Sequence, residues 1–459
     1  MAIWNCRTWV LRPLILLVCL ILTDQTSRGL SSTDQLCTED PKLSHELFLC
    51  NVSYKKSLNR EITKENILTD FDLRVSSEFK VDDRLRNRVG FWFDIYTVYG
   101  SDQKVLHLSD YPWIIFKVLD FKEIMSRPKA RWVNQTKVDL LTKLELVKLR
   151  VMLSSLSKKV SRKNFSAATL NEEEKATIDQ LQTLPGSLKK NLVHALKDVR
   201  VQTGQRDYYL QGLKESQDYM KTMENVFLEN RLPIELARLP MVESSFNSKA
   251  TSKAGAAGVW QFMLGTGKKF LMINDHIDER RSPFKSTEAA ATLLKENYLL
   301  FQNWPLALTA YNHGPGGVRL AMRKMKSRNL GEIIATYETK NFSFATRNYY
   351  SEFLGALYAE RYSNEIFGNL KKADRQEYEK VELLTNLRPD MMLSWLDLSS
   401  DEFVKMNPDL KKALRSNTRL PKGFALYLAP DMAFQFRSLQ KKYQESLKKS
   451  VKTRRIADL

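Results

Sequence analysis

Pro233-Ile-Glu-Leu-Ala-Arg-Leu-Pro-Met-Val-Glu-Ser-Ser-Phe-Asn247 is the stretch from which the fold is read. A proline suits the first turn of a helix. Ile234, Leu236, Ala237, Leu239, Met241 and Val242 then leave little of that helix for solvent. The spacing predicts a mostly buried helix that ends at Glu243, beside Ser244 and Ser245. A carboxyl group at such an end is poorly solvated, which disfavours its charged form and raises its pKa. An acid that keeps its proton near neutral pH can donate it to a leaving-group oxygen. The alternative is a glutamate that merely leaves a helix into water.

Downstream, Ser252-Lys-Ala-Gly255-Ala-Ala-Gly258-Val-Trp260-Gln-Phe-Met263 reads as a glycine-rich bend, since Gly255 and Gly258 permit tight turning and close backbone approach. Gly265-Thr-Gly267-Lys-Lys lacks the spacing of a phosphate loop and follows no strand. A helix opens at Ser286-Thr-Glu288 with Ala289, Ala290, Leu293, Leu294 and Tyr298 inward. A second holds Leu306 to His313 and is capped by Gly314. A third, rich in aromatic residues, runs from Thr346 to Tyr362.

Upstream, Val89-Gly-Phe-Trp-Phe-Asp-Ile-Tyr-Thr-Val-Tyr99 is dense in β-branched and aromatic residues and reads as a strand. Lys104–Leu108 and Trp113–Leu119 follow, so a small antiparallel meander is expected. Trp92, Tyr96, Tyr99, Tyr111 and Trp113 are either core or faces for sugar rings. From about 135 to 205 the apolar spacing is helical. Val138, Leu141, Leu144, Leu146, Val151 and Leu153 form one stripe, and Leu181, Leu184, Leu188, Leu192 and Leu196 another. Beyond Gly368, Tyr378–Leu384 and Gly423–Ala429 read as strands around two short helices, followed by a basic helical tail.

The chain has 459 residues, enough for two or more domains, and a formal net charge of +19. That excess suits an anionic partner, whether nucleic acid, acidic lipid or an acidic wall polymer. Arg7 and Arg12 precede an apolar run from Leu14 to Leu22, with Ser27 and Gly29 placed for cleavage. This is the pattern of a secretory signal. An exported chain is expected, without a lipid anchor at Cys19, without an integral membrane segment after signal removal and without a nucleic-acid partner. Of four cysteines, Cys6 and Cys19 leave with the signal. Cys37 and Cys50 are expected to form a disulfide, as suits an exported protein. The five histidines show no ligand spacing, so neither a metal site nor a cofactor is expected.

Three separated motifs occur in order: Val242-Glu243-Ser244, then Ser252-x-x-Gly255-Ala-x-Gly258-x-Trp260-Gln261-Phe-Met263, then Ala310-Tyr311-Asn312-x-Gly314-Pro315. With Asp278-Glu-Arg-Arg281 and Ser286-Thr-Glu-Ala-Ala-Ala291, the set resembles the catalytic domain of family 1 lytic transglycosylases, the Slt-like group with a goose-type lysozyme fold. The resemblance spans roughly Arg206 to Tyr362. It implies cleavage of the β-1,4 bond between N-acetylmuramic acid and N-acetylglucosamine without water, Glu243 serving first as acid and then as base. It further implies that Ser244 and Ser252 support the catalytic segment and touch substrate amides. Gln261 and Met263 would line a sugar subsite, Tyr311 and Tyr349 would stand near the acid, and Asn312 would anchor its turn. Taken singly, Gln261 is equally a cap, Met263 and Tyr311 core, and Asn312 a helix end. Asn407-Pro-Asp-Leu410 and Pro421-Lys-Gly423 look like the LysM-like, peptidoglycan-binding extension of many relatives.

Two departures stand out. Relatives commonly carry Glu just before Thr-Arg-x-Tyr, where this chain has Ala345, so that carboxylate's role is absent or met by another acid. His313 replaces a small residue and is expected to face solvent or reach substrate. Asp275, Asp278, Glu279 and Glu288 are the acids that a two-carboxylate mechanism would draw on. The expectation is a mainly α protein with a lysozyme-like helical catalytic domain, a small N-terminal β-containing region and a C-terminal α/β module. Its segments are a signal peptide (1–29), a strand-containing region (30–125), a helical connector (126–205), the catalytic domain (206–368) and the C-terminal module (369–459). Peptidoglycan glycan strands are the expected partner, in the periplasm.

Overall fold

A computed structural model describes residues 63–457 apart from 129 and 371–376, with side chains to 449. The expected signal peptide and the Cys37–Cys50 pair lie outside the described residues.

Helix α1 (Arg86–Thr97) is the stretch read above as a strand. Val89, Phe91, Trp92, Phe93, Ile95 and Tyr96 are all buried, so the helix is apolar nearly all round. A fully buried helix carries no 3.6-residue period, and its β-branched and aromatic content then imitates a strand. It packs along α10 (Phe344–Arg361) at a separation that only glycine allows. A Cβ on Gly355 would stand 2.9 Å from the backbone nitrogen of Phe93. The contact is fixed by one buried amide. Asn348 Oδ1 accepts from Arg88 Nη1 and from Trp92 Nε1, each at 2.9 Å. Gly355→Ala should force the two helices apart and cost about 1–3 kcal/mol of stability, read as a lowered denaturation midpoint.

Strands β1 (Gln103–Leu108) and β2 (Ile115–Asp120) pair antiparallel, as the meander reading required. The chain then runs through α2 (Arg131–Val160), α3 (Glu172–Gln182) and α4 (Leu188–Asp198). It returns as β3 (Val199–Thr203), which pairs antiparallel with the other edge of β1. The expected connector is therefore a helical excursion between two strands of one sheet. Strand alternation divides the sheet's faces. Val105 joins the main core, and His107 packs at a tilt against Phe91 with ring centroids 4.8 Å apart. Leu106 and Leu108 face a second core with Val138, Leu149, Leu153, Leu181 and Leu192. Leu144 and Val151, read above in one stripe with Val138 and Leu153, stand exposed.

The main core joins Ile67 through Val105 with Tyr209 through Tyr362, so no break in packing falls at 205/206. It is built on α5 (Arg206–Ser216), α6 (Met220–Glu229), the single turn α7 (Leu239–Glu243), α8 (Pro283–Phe301), α9 (Trp304–His313) and α10.

The C-terminal part has the two expected strands, but a 3-10 turn (Pro408–Leu410) and a third helix (Lys411–Ser416) follow the two expected helices before the second strand. Strand β4 (Glu379–Glu382) and β5 (Ala425–Leu428) pair antiparallel around α11 (Pro389–Leu396) and α12 (Ser400–Met406). A capping box of Ser399 and Glu402 starts α12. The long helix α13 (Pro430–Ala457) then carries the tail. This part docks on α8 through a buried cation. Lys285 Nζ lies 2.7 Å from Asp409 Oδ2 and 3.1 Å from Glu279 Oε1. Lys285→Met should strand the buried Asp409 carboxylate and cost about 3–5 kcal/mol, measurable by chemical denaturation.

Candidate active site

The decisive stretch forms a 3-10 turn, Ile234–Arg238, and then α7, rather than one continuous helix. Pro240 is the reason, because it has no N–H and must sit at a helix start. Arg238, buried below, is paired with Glu224 and with Glu360, the latter at 3.4 Å. After Glu243 the backbone turns through left-handed φ values of 50° at Ser245 and 58° at Phe246. Strain of this kind at non-glycine residues is typical of functional sites. It is held from beneath, where a Cβ on Gly212 of α5 would lie 2.8 Å from the Ser245 carbonyl oxygen.

Glu243 retains some accessible surface while protein surrounds its carboxyl group. Desolvation pushes its pKa up to about 7, against a hydrogen bond that opposes the rise. The donor is the Tyr349 hydroxyl, which bonds Glu243 Oε1 from α10. Tyr311, from α9, stacks over Tyr349 with ring centroids 6.5 Å apart and planes at 13°. Its own hydroxyl donates to the Trp260 carbonyl at 3.0 Å. Ser244 Oγ donates to the Val259 carbonyl at 2.9 Å, tying the acid's segment to the glycine-rich bend. So Glu243, Ser244, Tyr311 and Tyr349 come together in the fold.

The bend is pinned by short β-bridges, Thr251 to Ala257 and Ala257 to Phe262. Gly258, at φ +78°, approaches Arg280 so closely that a Cβ would sit 1.8 Å from its carbonyl oxygen. Arg280 in turn donates to the carbonyls of Gly255 and Phe262 at 2.9 and 3.2 Å. Gln261 spends its amide on the Gly258 carbonyl, 2.8 Å away, and Ser252 Oγ accepts from Ala256 N at 3.0 Å. These two side chains therefore stabilise the bend itself. Met263 and Leu264 present apolar surface beside it, 45% and 46% exposed. Asn312 does not anchor its turn; it is exposed at the end of α9, where Gly314 at φ +85° supplies the cap. His313 is half-buried at the end of α9. Its Nδ1 lies 3.2 Å from Thr346 Oγ1, and its ring meets Phe342 edge-on at 5.4 Å.

Sequence reasoning passed over one acid. Glu352 lies on α10 three residues beyond Tyr349 and seven beyond Ala345, hence on one face of the helix. Burial, then the Glu243 charge, pushes its pKa up to about 8, with Arg200 of β3 opposing. Its helical spacing from Tyr349 was the signal that could have found it. The acids named earlier are engaged elsewhere or exposed. Asp278 pairs with Arg280 at 2.9 Å, Glu279 with Lys285, Glu288 with Lys380 at 2.9 Å, and Asp275 is exposed. Of the aromatic candidates, Trp92 and Tyr96 are core, while Tyr111 and Trp113 pack edge-on at 5.4 Å. Among the described residues, Asp110, His194 and Asp198 are the group with metal-ligand proximity. There Arg347 is ion-paired with Asp110, and His194 Nε2 lies 3.3 Å from Asp110 Oδ2.

Comparison with known proteins places these features. The segment 228–334 matches the transglycosylase SLT domain. Membrane-bound lytic murein transglycosylase D of Escherichia coli strain K12 is 36% identical over 115 residues, covering 25% of this chain and 25% of that protein. The aligned stretch thus spans about a quarter of that relative's length. Among solved structures, lytic transglycosylase Slt from Pseudomonas aeruginosa shares 17% identity over 55% of this chain and 38% of its own, at a TM-score of 0.28. The 70 kDa soluble lytic transglycosylase of Escherichia coli shares 16% over 70% and 57%, also at 0.28. Glu243, the glycine-rich bend and Tyr311 all fall within 228–334, and the chain therefore carries a transglycosylase SLT domain.

Proposed function

We propose that this protein is a peptidoglycan lytic transglycosylase acting outside the cytoplasm, and that Glu243 alone performs its proton transfers. The observation that carries the reading is a carboxyl group whose pKa burial raises to about 7, inside the matched domain and bonded by a tyrosine hydroxyl. The protonated Glu243 gives its proton to the glycosidic oxygen as the bond from muramic C1 breaks. The carboxylate left behind takes the proton of the muramic C6 hydroxyl, whose oxygen closes on C1. The product is a 1,6-anhydro sugar, no water is consumed, and Glu243 ends protonated as it began. Tyr349 steadies the carboxylate between the two transfers. Met263, beside the bend that Gln261 and Ser252 brace, offers an apolar wall to the sugars.

One observation favours a second reading. Glu352 feels the charge of Glu243, and paired carboxyl groups in one site are what a glycoside hydrolase uses. Mass spectrometry of digested sacculi separates the two. Anhydro-muropeptides are the expected products, and reducing ends in their place would sink the proposal. Glu352→Gln adds a check, because a transglycosylase should keep the same anhydro products with at most about a tenfold loss of rate, whereas a hydrolase loses its base.

A further inference from the structure

Helix α2 is apolar on two opposite sides. Val138, Leu149, Leu153 and Leu156 are buried against the second core. Leu140, Leu144, Val147 and Val151 stand 67, 48, 54 and 64% exposed. At 3.6 residues per turn these four fall within an arc of roughly 60°, opposite the buried set, along about 16 Å of helix. Lys143 and Arg150 border the patch on one side, and Lys137 and Lys148 on the other. Lys158 continues its line, and Trp132, 73% exposed, sits at the N-terminal end. Of the two acids in the helix, Glu145 is held by Lys117 and Lys148, each at 2.7 Å. Asp139 accepts from Gln135 at 2.8 Å.

We propose that this outer face of α2 docks on an anionic lipid surface, the helix lying in the plane of the interface. The apolar stripe would enter the boundary between headgroups and acyl chains, while the long basic side chains on both rims reach lipid phosphates. Trp132 is the residue type that favours such a boundary. No helix among the described residues is long and apolar enough to cross a membrane, so α2 lies on the surface and not through it. Charge decides against a second copy of this chain. Pairing the patch with itself would set Lys137, Lys143, Lys148 and Arg150 of two copies side by side, and like charges there repel. The chain's net charge of +19 has the same sign as the rims. This inference is independent of the role given to Glu243.

The test is co-sedimentation of the full chain with vesicles of equal parts phosphatidylglycerol and phosphatidylcholine, against phosphatidylcholine alone. The wild type should bind the anionic vesicles at least tenfold more tightly. The triple variant Leu140→Ser, Leu144→Ser, Val147→Ser keeps every charge and every core residue. It should lose at least tenfold of that binding, with circular dichroism and digestion of lipid-free sacculi unchanged. Lys143→Gln with Arg150→Gln should weaken binding and flatten its salt dependence. Should the triple variant unfold, Leu140→Ser alone must give at least a threefold loss. Equal binding by wild type and triple variant would trace the attraction to bulk charge and overturn the proposal. So would a wild type that ignores the anionic vesicles, or one that is dimeric in solution while the triple variant is monomeric.

Discussion

Glu243→Gln should leave sacculi essentially undigested, with release of muropeptides reduced by about 10²–10⁴-fold, the contribution usual for a positioned general acid. The variant should nevertheless fold, and above neutral pH it should be the more stable protein. The folded pKa of Glu243, about 7, lies above its ordinary value of 4.5. The native state therefore binds more protons than the unfolded chain between those values. Stability from this group is present at low pH and declines as pH rises from about 4.5 to 7. Glutamine does not titrate and escapes that decline. At pH 8 the gain should be on the order of 1–3 kcal/mol, read from denaturant midpoints of the two proteins. A variant both inactive and destabilised at pH 8 would show that the carboxylate belongs to a structural ion pair and not to catalysis.

The second large effect concerns pH and Tyr349. If the reaction begins from protonated Glu243, kcat/KM should fall about tenfold per pH unit above about 7. The Tyr349 hydroxyl bonds the carboxylate and so holds that pKa below what burial alone would set. Tyr349→Phe should therefore move the descending limb to higher pH. It should also lower the maximal rate by about tenfold, since the carboxylate formed in mid-reaction loses a charge-assisted hydrogen bond. A purely structural tyrosine would change the rate without moving the limb. Rates of sacculus solubilisation between pH 5 and pH 9 decide between the two.

Glu243 and its immediate neighbours could be read because they are local in sequence. A buried run ending in Glu243, two glycines at fixed spacing and a Tyr-Asn turn each declare themselves within about a dozen residues. What could not be read depends on distant contacts. Nothing within 86–97 says that every face of that helix is covered, because the cover arrives with α10. Nor does Val199–Thr203 announce a strand, since its partner β1 lies beyond an excursion of three helices. Leu144 and Val151 satisfy a helical period without revealing that α2 has two apolar sides. Glu352 escaped in the same way. It stands two turns beyond Ala345 on the same helix, and the arrival of Glu243 and Arg200 from distant segments marks it.

The clasp of α1 and α10 through Asn348 joins residues 256 and 260 positions apart. Ribosomes build a chain from its N-terminus, so Trp92 and Arg88 wait for their partner until most of the polypeptide exists. Tyr349 lies on that same late helix, one residue from the clasp. A half-made molecule that stops before α10 thus has Glu243 without the tyrosine hydroxyl that bonds it. In such a design the hydrogen bond to Glu243 is completed only once α10 has been delivered, late in synthesis.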